Sequence, residues 1–138
     1  MASGNIVRPV PQTERGSITA FVAVLAITFI ACAGLAVDGG RLVAARVQLA
    51  DHAENAARAG VQEVTSLRSG EPDIDVIEAR RTAAAYLHLW GVSGDVNATT
   101  EEVTVSVRRV VPMSILGLFG AGSRMVSAQR SAKAVTGP

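Results

Sequence analysis

Between Ser17 and Val37 the chain has no charged side chain, and only Ser17, Thr19 and Thr28 break the apolar run SITAFVAVLAITFIACAGLAV. As a helix rising about 1.5 Å per residue, this run spans roughly 31 Å, close to the ~30 Å of a bilayer's hydrocarbon core. A soluble core helix shows a polar face at i, i+3, i+4 spacing, and none is present. The three hydroxyls can bond back to the helix's own carbonyls. The pattern predicts a transmembrane helix over 17–37. After Asp38-Gly39-Gly40, apolar or small residues recur at Leu42, Ala45, Leu49, Ala53, Ala56, Gly60, Val64 and Leu67, in gaps of three and four. Arg46, Asp51, Glu54, Arg58 and Glu63 fall on the other faces, with Glu54 and Arg58 in the favourable i, i+4 order. The membrane helix is therefore predicted to continue as an amphipathic helix ending near Ser66.

Ser69-Gly70-Glu71-Pro72 reads as a turn. A second helix is predicted over about Asp75–Trp90. Asp75 and Glu78 form a capping-box pattern, Ile77, Ala84, Leu87 and Trp90 form the buried stripe, and Gly91 is the stop. The period then changes to two. Val103, Val105 and Val107 alternate with Thr104, Ser106 and Arg108, a half-buried strand that Asp95–Thr99 can join across a turn at 100–102. Pro112 ends that strand. The connection MSILGLFGAG (113–122) carries Ile115, Leu116, Leu118 and Phe119, expected to cover the sheet, with insertion at a membrane surface as the alternative. Val126, Ala128, Ala132 and Ala134 alternate with polar residues in a last strand, and Arg130 on the apolar phase marks it as an edge. The fold class is α+β: one long N-terminal helix, a second helix and a small antiparallel sheet. The domain plan is a polar tail or leader (1–16), the membrane helix (17–37) and a head (38–138).

Composition sharpens this picture. Hydrophobic residues make up 49% of the chain but aromatics only 4%, so the core must be built from Ala, Val and Gly. Thirteen basic and 12 acidic residues are interspersed, giving net charge +1 and no basic stripe, which excludes nucleic acid as a partner. The single cysteine, Cys32, lies inside the apolar run and reads as a small buried hydrophobe, so no intrachain disulfide forms. His52 and His88 have no second ligand at metal spacing. Glu101 and Glu102 are adjacent and point to opposite faces of an extended chain. No phosphate loop or nucleophile turn is present. The chain is expected to be no enzyme and to take no metal or cofactor. Asp38-Gly39-Gly40 reads as an interfacial stop.

The face Ala53, Ala56, Ala57 and Gly60 is small enough for close backbone approach, and is the expected helix-packing interface. Its occupant is either the chain's own C-terminal region or helices of other subunits. Arg8 and Arg15 flank one side of the apolar run and Arg41 and Arg46 the other, so the positive-inside rule does not decide orientation. A secretory signal cut near Ala36 is an alternative, although the run exceeds the usual signal core of about 7–15 residues. A lipoprotein signal acylated at Cys32 fits less well, with Phe29 at an unfavourable position.

Three stretches together resemble the TadE/TadG-like proteins of tight-adherence (Flp) pilus systems: Arg15-Gly16-Ser17 heading the apolar helix, Val37-Asp38-Gly39-Gly40 at its exit, and the alanine-rich 50–60. The valine-rich strand, Phe119-Gly120 and Val126-Ser127-Ala128 follow in the family's order. The resemblance implies a pilin-like fold and a minor pseudopilin-like or accessory role in pilus assembly in a bacterial cell membrane. It implies a cytoplasmic N-terminus, an extracytoplasmic head, and membrane lipid and other pilus-assembly or pilin-like proteins as partners. By analogy, a prepilin peptidase would cut after Gly16 to leave Ser17 as the new N-terminus. The pattern departs at the fifth position after that cut, where Phe21 stands in place of the glutamate usual in pilins.

Overall fold

A computed structural model describes residues 13–63 and 73–134. The expected tail before residue 13, Val64, Ser66, Leu67 and the turn at 69–72 lie outside the described residues. Helix α1 is continuous over Thr13–Val61, so the apolar run and the amphipathic segment form one rod that starts before Ser17. Thr28 Oγ1 donates to Val24 O at 2.8 Å, one of the back-bonds that let a hydroxyl sit in an apolar helix. The rod ends at Val61 rather than near Ser66. Glu63 has left the helix, and its carbonyl accepts the Asp75 N–H at 2.9 Å while its side chain accepts from Thr82 Oγ1 at 3.1 Å. Those bonds fix the start of the second helix.

Helix α2 covers Val76–Leu89 with Asp75 as its N-cap, Oδ1 accepting the N–H groups of Ile77 and Glu78; the reciprocal half of the expected capping box is not made, because the Asp75 N–H goes to Glu63 O. Gly91, with φ +62°, turns the chain out of α2 in the left-handed conformation that glycine adopts without strain. The buried stripe of α2 is not the one expected. Ala79, Ala83 and Leu87 are buried, whereas Ile77 is 78% exposed and Ala84 and Trp90 are also exposed. The large side chains misled because α1 and α2 meet through their smallest residues. A Cβ on Gly60 would lie 2.9 Å from Ala79 O and 3.4 Å from Ala83 Cβ.

Strands β1 (Ser93–Ala98), β2 (Glu102–Val111) and β3 (Arg124–Lys133) form an antiparallel sheet in the order β1-β2-β3. Val103, Val105 and Val107 are buried against the helices, as their alternation predicts. β3 is an edge strand, and Arg130 is exposed on it. The core joins Leu49, Ala53, Ala56 and Ala57 of α1 to Ala79, Ala83 and Leu87 of α2 and to the three valines of β2.

The connection 113–122 does not cover the sheet. Its 3-10 turn, Leu116–Phe119, packs beside α1, with Ile115 and Leu116 half-buried there and Leu118 and Phe119 exposed. β2 starts level with Gly60, which faces Val103, and leads into the connection level with Asp38, which binds Ser114. The 10 residues of β2 span about 33 Å, and so do the helical residues from 38 to 60. The sheet thus runs the full length of the non-apolar part of α1.

Replacing Gly60 by Leu should destabilise the head by about 1–3 kcal/mol or more, because the Ala79 carbonyl leaves no room. Val47→Ala, on an exposed position of the same helix, should stay within about 0.5 kcal/mol. Chemical denaturation of the two variants in the same detergent measures the difference.

Candidate functional site

The apolar part of α1 has no protein cover. Ile18, Phe21, Val24, Ile27, Phe29 and Ile30 are all exposed. Cys32, expected to be buried, is exposed on this surface too. Cover begins at Gly34 and continues through Asp38, Ala45, Leu49, Ala53, Ala56, Ala57 and Gly60. The rod is therefore bare where it is apolar and clad where it is amphipathic. It is the one described helix long and apolar enough to cross a membrane.

Asp38 sits where these two regimes meet. Its residue is 0% exposed, the one charged residue among the described residues that is fully buried. Oδ1 accepts the Ser114 N–H at 3.0 Å, and Oδ2 accepts the Ile115 and Leu116 N–H groups at 2.9 and 2.8 Å. The 3-10 turn has no side-chain cap of its own, so a carboxylate from α1 caps it across the fold. Arg41, one turn further on, lies 3.9 Å from Asp38 Oδ1 and donates to Ser114 Oγ. Beneath the clamp, a Cβ on Gly34 would lie 2.7 Å from Ile115 Cγ2 and 3.5 Å from Leu116 Cδ2. Glycine at 34 lets the connection lie directly on the helix.

Asp38 lies one residue beyond the apolar segment. The Leu116 N–H does most to hold its carboxyl below the ordinary aspartate range. Burial acts against this, and the Ser114 and Ile115 N–H groups and the Arg41 guanidinium add to the lowering. The motif read as an interfacial stop is thus a buried structural contact. One sequence signal pointed there: Asp38 stands four residues before Leu42 on the stripe that Ala45 and Leu49 continue.

Ala53, Ala56, Ala57 and Gly60 come together in space, but their occupant is this chain. The first three are 0% exposed, and Gly60 is buried against α2 and Val103. Of the two occupants the spacing left open, the fold seats the chain's own α2 and sheet here. No free surface is left at these four positions for a partner helix. Gly16 and Ser17 are exposed in the first turns of α1.

His52 is half-buried beside Tyr86 and Trp90, with ring centroids 6.4 and 5.5 Å away, in a packing position. His88 is exposed on α2. Among the described residues, no three of His, Cys, Asp and Glu gather where they could hold a metal ion.

Changing Asp38 to Asn removes at least one of the three accepted bonds and sets an amide NH2 against a backbone N–H. Faster amide exchange is expected at Ser114, Ile115 and Leu116, with the amides of β2 unchanged. A folded-state pKa below the unfolded value stabilises fully above the ordinary aspartate range, and that stabilisation is lost as pH falls through the lower folded value. The stability difference between the parent chain and Asp38→Asn should therefore be flat at neutral and alkaline pH and shrink only in acid. Unfolding measured across pH tests the sign.

No curated protein matches the chain, and no solved structure matches it. Residues 16–63 match a family model described as "Putative Flp pilus-assembly TadE/G-like". That segment is about a third of the chain and contains the uncovered apolar run, the Asp38 clamp and the small-residue face. Through this segment of its long helix, the chain is similar to the TadE/G-like proteins of Flp pilus assembly.

Proposed function

We propose that the chain is a membrane-anchored, non-catalytic component of a Flp-type pilus assembly or a related secretion machine, minor pseudopilin-like in role. The observation that carries this reading is the division of α1 at Asp38. One half is apolar and bare, and the other is covered along one face by an α+β head. Burial of the bare half in lipid removes its exposed valines, isoleucines and phenylalanines from water, at about 25 cal/mol per Å² of apolar surface. The head is held close to the bilayer and presents its own surface to pilus-assembly or pilin-like proteins. In this reading the N-terminus lies in the cytoplasm and the head outside.

Processing between Gly16 and Ser17 by a prepilin peptidase belongs to this reading. The exposed position of both residues supports it. Phe21 at the fifth position after such a cut supports an accessory role over a bulk filament subunit. It offers no carboxylate to pair with a new amine among apolar helices, where an unpaired charge is costly. Release by cleavage near Ala36 would sever Gly34 from Ile115 just before the clamp, and that contact favours the uncut anchor.

Mass spectrometry of the chain recovered from its cell tests both points. A Ser17 start supports pilin-like processing, and an intact or Met-trimmed N-terminus supports a plain anchor. A start near Val37 would overturn the anchored reading. In either anchored case the chain should resist alkaline carbonate extraction from membranes and co-purify with pilus-assembly proteins after cross-linking.

A further inference from the structure

The clamp places one more element at the bilayer. Gly34 lies three residues before the end of the apolar segment, about 4.5 Å below its upper limit. Ile115 and Leu116 rest on Gly34, and Asp38 holds their N–H groups. The 3-10 turn therefore sits level with the last turn of the apolar helix, beside it and bonded to it. From this position Leu118, 82% exposed, and Phe119, 53% exposed, project without protein cover. Apolar side chains of this size at a helix–bilayer boundary find their burial in the zone where headgroups meet acyl chains. Charge supports the same occupant. Arg124 and Arg109, at the end of the sheet that adjoins the turn, are exposed and make no ion pair among the described residues. Arg41 is exposed just above the clamp. The exposed carboxylates are further from it: Asp51 stands about 20 Å beyond Asp38 along α1, and Asp73, Asp95 and Glu101 belong to other segments.

We propose that Leu118 and Phe119 form a second membrane contact, a wedge seated in the interfacial layer of phospholipid beside the transmembrane helix, with Arg41, Arg109 and Arg124 facing lipid phosphate. The inference rests on the reading of 17–37 as a membrane span. Two contacts on one rigid body fix the head's height and its rotation about the helix axis, which one helix alone leaves free.

Lipid-borne quenching tests the wedge on the full chain in phospholipid nanodiscs. Trp90, the single tryptophan, lies beside His52, roughly 22 Å beyond Val37 along α1. It is replaced by Phe to give a silent background. Phe119→Trp, Leu118→Trp and, as a reference, Phe29→Trp are made in that background. Circular dichroism confirms that each is folded. With lipids brominated near the headgroup end of the acyl chain, at least half the emission of the Phe119→Trp and Leu118→Trp chains should be lost, and less with lipids brominated near the chain terminus. Strong quenching at Phe29→Trp with none at 118 or 119 would overturn the wedge and leave the anchor standing. Absence of quenching at all three would overturn the anchor, and the wedge with it.

Discussion

A carboxylate buried without partners is among the costliest groups in a protein interior, and Asp38 is buried completely. Three backbone N–H groups from a segment about 76 residues away make it tolerable. Neither side is satisfied without the other, because the 3-10 turn has no cap of its own and the carboxylate no exposure to solvent. The bond set forms only when the last connection lies on α1 at one height. It sets the register between helix and sheet, and through the stiffness of one unbroken helix it sets how far the head stands from the apolar segment.

The rest of the head follows from a core of small side chains. Alanine and glycine at the α1–α2 seam let the helices approach until Gly60 touches the Ala79 backbone, and the three valines of β2 close the other side. Such a core gains little from each residue and depends on the number and closeness of contacts. It therefore tolerates no added bulk, and a large substitution at Ala56 or Gly60 reports on folding before it reports on any partner. Surfaces for other proteins have to be sought on the sheet's outer face and the exposed side of α2.

The functional reading joins these two features. Residues 16–63 match the TadE/G-like family model, and within them the chain passes from a bare apolar rod to an amphipathic rod covered on one face, between Gly34 and the clamped Asp38. What the described residues arrange around that point is position: a head held at a defined distance from a segment suited to lipid.

Much of this was legible from residue order alone. Local signals decide local structure, so the apolar run, the i, i+3, i+4 stripe after it, the Asp75 cap, the Gly91 stop and the valine alternation each predicted the element found. The helix's end near Ser66 and the α2 stripe through Ile77 and Trp90 were misplaced, because a residue's size says nothing of which face another helix will approach. Tertiary structure alone decided that Ala53, Ala56, Ala57 and Gly60 pack within the chain, since spacing describes a face and not its occupant. It also decided that Asp38 binds residues 114–116, and so brings Leu118 and Phe119 to the end of the apolar helix. Hydrogen bonds between segments so far apart leave no periodic trace in either one. They exist only once α1, the sheet and the connection have been brought to the same height.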